Sequence, residues 1–127
     1  MPTTVTQGIR ITVEAMYLAD RSQPEDNSFA FAYMVTIANE GRRRVQLMRR
    51  HWIITDGNGE VREVEGPGVV GEQPVLDAGD VHEYTSGAVL TTPVGTMEGT
   101  YEMHGPDGHV FRAAIPRFTL QKPGVVQ

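Results

Sequence analysis

Three groups of residues in this chain have types and spacings that could do chemistry. The first is the hexapeptide "GPGVVG", in which Gly66, Gly68 and Gly71 match Gly-x-Gly-x-x-Gly. That spacing holds a dinucleotide pyrophosphate when it follows a strand and opens a helix, because the helix N-terminal amides and dipole face the anion. The second is "RRRVQLMRRHW", which packs Arg42, Arg43, Arg44, Arg49 and Arg50 into nine positions, followed by His51. Arginine forks grip carboxylates and phosphates bidentately, so this stretch points to an anionic ligand or an acidic protein partner. The third is His104, Asp107 and His109 around the turn "GPDG". Two imidazoles facing each other across a hairpin, with a carboxylate beside them, would be ligation chemistry for zinc, cobalt or nickel.

Each group also has a plainer reading. After Gly71 the chain continues "EQPVLDAGD", and Gly79 ends any helix within about one turn. Pro67 has no N–H to offer an anion, and no βαβ unit surrounds the motif, so the dinucleotide reading fails on context. Successive loop amides could still form an anion-binding nest without a helix. Otherwise the glycines bend a loop between two strands while Val69 and Val70 fill an apolar gap. The arginines read otherwise as a solvated turn and edge strand, and few aromatics accompany them for bases to stack on, which disfavours nucleic acid. The histidines read otherwise as a polar pair beside a turn, with nothing to supply a third and fourth firm ligand. No Gly-x-Ser-x-Gly elbow exists, and "YTSGA" around Ser86 lacks a base nearby in sequence. The residues therefore predict no enzyme and no cofactor, with a weakly held divalent metal at His104, Asp107 and His109 as an alternative.

The elements that would position these groups are strands. Ile9 to Tyr17 and Phe29 to Ile37 alternate with a period of two, the second with large residues on one side and small apolar ones on the other. Val45 to Thr55 reads as one long or bent strand before "DGNG", whose turn chemistry favours a hairpin back into Val61 to Val64. Val81 to Ala88, Gly95 to His104 and Val110 to Ile115 follow, then a last edge segment, Phe118 to Leu120, after Pro116. No segment sustains a helical period. The prediction is an all-β antiparallel sandwich of about eight short strands, fibronectin type III-like because the Cys-Trp-Cys mark of immunoglobulin domains is missing. Residues 1–127 make one domain, with 1–8 expected as a mobile N-terminal arm and 121–127 as a mobile tail.

Bulk properties bound the class of function. The chain has 127 residues, a net charge of −5 and no cysteine. It can build one core, has no global field for nucleic acid or acidic membranes, and offers no thiol chemistry. The first residues lack a secretory pattern, and the longest apolar run, Phe29 to Val35, is far short of the ~20 residues a membrane helix needs. The expectation is a cytoplasmic protein without membrane insertion.

Four islands in order carry a resemblance: "RHWIITDGNGE" from Arg50, "VEGPGVVGEQPVLDAGD" from Val64, "YTSGAVLTTPVGTMEGTY" from Tyr84, and "IPRFTL" from Ile115. Together they span nearly the whole chain, and with them it resembles the ApaG family. The resemblance implies a bacterial protein of fibronectin type III-like fold. It implies kinship with domains fused in eukaryotes to F-box and polymerase-delta-interacting proteins, where protein binding is the expected role. It also implies an association with cobalt and magnesium resistance or efflux. The family's glycine motif falls on Gly66, Gly68 and Gly71, with Pro74 just beyond. Where many relatives are expected to carry cysteine this chain has Ala88, so a thiol there is not essential to it. The combined expectation is a non-enzymatic interaction module whose binding surface joins Gly66, Gly68 and Gly71 to Arg49, Arg50 and His51.

Overall fold

A computed structural model describes residues 1–125 and contains two packed antiparallel sheets. In chain order the strands are β1 (Thr3–Thr6), β2 (Ile9–Tyr17), β3 (Phe29–Asn39), β4 (Val45–Asp56), β5 (Val61–Pro67), β6 (Val75–Leu76), β7 (Val81–Leu90), β8 (Val94–His104) and β9 (Val110–Gln121). One sheet runs β1-β2-β3-β7. The other runs β5-β4-β8-β9, with β6 pairing onto the start of β4. The only helical pieces among the described residues are three-residue 3-10 turns, at Ala19–Arg21, Pro24–Asp26 and Pro106–Gly108. The sandwich follows the alternation in the sequence, since each strand must bury one face against the opposite sheet.

The core lies between the sheets. Ile9, Ile11 and Val13 of β2 and Phe31, Tyr33, Val35 and Ile37 of β3 are buried against Leu47 and Trp52 of β4 and Met97, Tyr101 and Met103 of β8. The rings of Tyr33, Phe118 and Tyr101 sit around Trp52 at centroid distances of 5.3, 5.9 and 6.3 Å, in edge-to-face geometry. Aromatic quadrupoles favour that arrangement.

Three expectations about the strands need correction. The N-terminal arm is a strand: Thr3–Thr6 pairs with Ile9–Thr12 through a tight turn whose central residues, Gln7 and Gly8, both have positive φ. The last strand does not break at Pro116, because β9 continues to Gln121 with a register shift between Met97 and Gly99. There Pro116 and Arg117 bulge opposite Glu98, so proline's missing donor leaves no gap in the ladder. The strands are also longer than expected, five of the main ones reaching ten to twelve residues. Of the tail, Gln121 closes β9 and Lys122 donates its N–H to the Pro93 carbonyl; positions 126–127 lie outside the described residues.

Candidate functional site

The site is set by one irregularity in β4. Before it, Val45 and Leu47 face the core; after it, Trp52 and Ile54 do. The register against β8 shifts between Leu47 and Arg49, so Met48 is an extra residue that changes which parity points inward. Arg50 therefore shares the inner face with Trp52 and Ile54. Arg49 is exposed on the outer face, and His51 is half-buried on that same face, its Nε2 2.7 Å from an exposed Glu63 carboxylate. The structure thus divides the arginine–histidine group, placing Arg50 with the glycines and Arg49 and His51 on the opposite side of the sheet.

The glycine stretch explains where Arg50 rests. Gly66 and Pro67 belong to β5, with Gly66 directly across from Arg50. A Cβ on Gly66 would stand 3.0 Å from both terminal nitrogens of Arg50, so the guanidinium lies over the bare glycine. Its Nη1 donates to the carbonyls of Pro67 at 2.9 Å and Gly68 at 3.1 Å. Gly68 has φ +62° and donates its N–H to the Met48 carbonyl at 2.9 Å, which ties the loop to the bulge. Val69 and Glu72 exchange two backbone bonds around Val70 and Gly71, both at positive φ, in a two-residue turn of type I′ character. The N–H groups of Gly68, Val69 and Glu72 are therefore engaged within the protein, and strand β6 rather than a helix follows. Of the two valines expected to fill an apolar gap, Val69 is buried and Val70 is exposed.

Arg50 looks into a cleft of about 220 Å³ where the two sheets part, between edge strands β5 and β7. Tyr33, Trp52, Arg62, Val64 and Ser86 also line it. Arg62 of β5 reaches across and donates Nη2 to the Val89 carbonyl of β7 at 3.0 Å. Neither Arg50 nor Arg62 meets a carboxylate among the described residues. Deeper in, the hydroxyls of Tyr84 on β7 and Tyr101 on β8 hydrogen-bond to each other and link the sheets. Burial pushes both phenols well above the usual tyrosine range, and it raises Tyr33 too, against opposing effects of Ser86 and the Arg50 charge. The three phenols consequently stay protonated. Beyond Tyr84 on the same face, the His82 Nε2 is buried without a hydrogen bond, 3.7 Å from a Glu72 carboxylate oxygen. The cleft thus sets two arginines beside the neutral hydroxyls of Tyr33 and Ser86, an arrangement suited to holding an anionic group.

Sequence reasoning did not find Tyr33, Arg62, His82, Tyr84, Ser86 and Tyr101 as a group. Parity offered one signal, since His82, Tyr84 and Ser86 alternate with exposed residues along β7.

The remaining candidates are scattered. His104 pairs with Val110, not His109, because the Pro106–Gly108 turn takes the intervening residues out of the ladder. Its Nε2 is 2.9 Å from Glu102, while the His109 Nε2 is 2.9 Å from Gln7 Oε1 in the β1–β2 turn. Asp107 occupies the exposed turn with φ +59°. Among the described residues no three His, Asp or Glu side chains come together as a metal would require. Arg44 pairs with Asp77 at 2.6 Å on the surface, and Arg42 and Arg43 line a separate pocket at the end of the sandwich.

Two antiparallel sheets of four and five strands, closed around an aromatic core, define a fibronectin type III-like sandwich domain. The ApaG domain profile matches residues 19–105, and the chain belongs to the ApaG family. It is 59% identical over 118 residues to Protein ApaG of Paramagnetospirillum magneticum, covering 93% of this chain and 91% of the relative. It is 55% identical to Protein ApaG of Pseudomonas aeruginosa, covering 93% and 94%. Among solved structures it is similar to the ApaA protein of Bordetella pertussis, with a TM-score of 0.89 and 44% identity over 98% of each chain. A C-terminal domain of wzt shares the fold at 11% identity and a TM-score of 0.54, covering 94% of this chain and 75% of that one.

Proposed function

We propose that this chain is a non-enzymatic, cytoplasmic binding module whose β5–β7 cleft holds an acidic group of a protein partner. The observation that carries this reading is Arg50. The Met48 bulge turns it inward, two loop carbonyls fix one of its nitrogens, and its Nε and Nη2 have no partner among the described residues. A guanidinium held in place loses less side-chain freedom on binding, so its charge-assisted bonds to a carboxylate contribute more. The neutral phenol of Tyr33, which lines the cleft, can donate but cannot act as a base at ordinary pH. Ser86 and His82 are four residues apart on one strand face, which places them about 13 Å apart. That separation leaves the serine without an imidazole to activate it.

Titration of ¹⁵N-labelled protein with acetate and N-acetylglutamate tests the reading. Saturable shifts of the Arg50 Nε–H signal are expected, with loss of the response in Arg50→Met. An unchanged response in that variant would show that the anion binds elsewhere.

A further inference from the structure

The free edge of β7 runs along the mouth of the same cleft. In β3, the Ala30 N–H goes to Ser22 Oγ and its carbonyl accepts from Leu18, both on the β2 side. Antiparallel ladders alternate, so the even-numbered residues of β3 bond to β2 and the odd-numbered ones bond to β7. Residues of β7 opposite the even set are Val81, Glu83, Thr85, Gly87 and Val89. Their N–H and C=O groups therefore point away from β3, and no strand among the described residues pairs with them. Arg62 occupies the Val89 carbonyl and closes one end. Val81 to Gly87 remains open over about 23 Å, the length of an ordinary strand. This stretch has no proline, lysine or bulge to blunt the edge, and its one charged residue, Glu83, is exposed on the face away from the cleft.

We propose that the occupant of the cleft is an extended segment of a partner protein that adds along β7 as a further strand and turns an acidic side chain inward to Arg50 and Arg62. This rests on the anion reading above and names how the partner engages. An added strand would lie about 4.8 Å from β7, with alternate side chains falling on the inner face. Gly87 and Ala88 line the cleft together with both arginines, so an inward side chain at that level meets the guanidiniums. Main-chain bonds supply affinity in this mode and the inward side chain supplies selectivity. Charge decides between occupants. A second copy adding through its own β7 would bring His82, Tyr84, Ser86 and Ala88 inward, none of them carrying a negative charge for the arginines.

The probe is a capped heptapeptide of alternating valine and threonine with a central glutamate, titrated into the full chain. At saturation, exchange of the Glu83, Thr85 and Gly87 amides should slow by about tenfold or more, as for newly paired backbone. A lysine in place of the glutamate should weaken binding about tenfold, and so should N-methylation of the peptide on its bonding edge. Thr85→Pro removes an outward N–H without touching the β3 ladder; it should abolish peptide binding and keep the acetate response of Arg50. If the peptide shifts Arg50 but leaves those amides unprotected, or if the N-methylated peptide binds equally, strand addition is wrong and the anion reading stands. If neither acetate nor peptide reaches Arg50, both readings fail. Concentration-dependent dimers in sedimentation that Thr85→Pro dissolves would assign the edge to a second copy and overturn the proposal.

Discussion

The guanidinium of Arg50 lies over Gly66, its cross-strand neighbour, where a Cβ would stand 3.0 Å from its terminal nitrogens. The glycine is a seat for a side chain, and its neighbour Gly68 has a different task. In Gly66→Ala the flexible head of Arg50 can move aside, so stability should change by less than about 1 kcal/mol while the acetate response weakens. In Gly68→Ala the new Cβ meets the Glu72 carbonyl at a positive φ, which should cost about 1–3 kcal/mol or more. Urea denaturation of the two variants, set beside their anion titrations, checks this division.

Arg49 and His51 provide the complementary measurement. Because the bulge leaves them on the outer face, Arg49→Ala and His51→Ala should each retain the acetate shift that Arg50→Met loses. A loss in either outer variant would place the anion on the wrong side of the sheet for the cleft reading.

Alkaline stability should report the buried phenols. Tyr33, Tyr84 and Tyr101 all have folded-state pKa values raised by burial above the ordinary value of 10.0. Above about pH 10 the unfolded chain loses these protons while the folded chain keeps them, so stability is full below that pH and falls as pH rises toward the folded values. The slope approaches about 1.4 kcal/mol per pH unit for each such tyrosine. Denaturation midpoints between pH 8 and 11 should fall accordingly, and less steeply in Tyr84→Phe.

Trp52 lies within the ring cluster with 2% of its surface exposed. Trp52→Ala should cost about 3–5 kcal/mol, and Trp52→Phe much less because it keeps an aromatic face toward Tyr33 and Phe118. Chemical denaturation followed by circular dichroism measures both without relying on tryptophan emission.

Replacing Arg42, Arg43 and Arg44 together with glutamine should leave the denaturation midpoint nearly unchanged. Arg44 and Asp77 form an exposed pair with side chains 68% and 57% accessible, and solvent screens such pairs.

The strands were legible because large apolar residues alternate along Ile9–Tyr17 and Phe29–Ile37, and two-fold alternation has one physical meaning. That the glycine stretch opens no helix was legible because nothing after Gly71 could sustain one. The strand running on through Gly66 and Pro67 was not, since glycine and proline both read as strand breakers. The site was harder to read. A bulge is a backbone event without a residue signature, so Arg49, Arg50 and His51 looked like one surface. The tyrosines are far apart in sequence and look like ordinary core rings until the fold sets Tyr84 against Tyr101. The histidine pair failed on a register that the 3-10 turn at Pro106–Gly108 displaced, and Thr3–Thr6 was too short and polar to announce a strand.

The extra residue at Met48 gives β4 two reading frames for its side chains, one on each side of the insertion. A full-length strand without the bulge would send Trp52 to solvent and Arg49 to the interior, whereas deleting Met48 would give a regular ladder that keeps Trp52 inside and Arg49 outside. What the inserted residue itself supplies is its carbonyl, which accepts from the Gly68 N–H and from Gln73 Nε2, so its loss would untie the loop while leaving the faces of the strand in place.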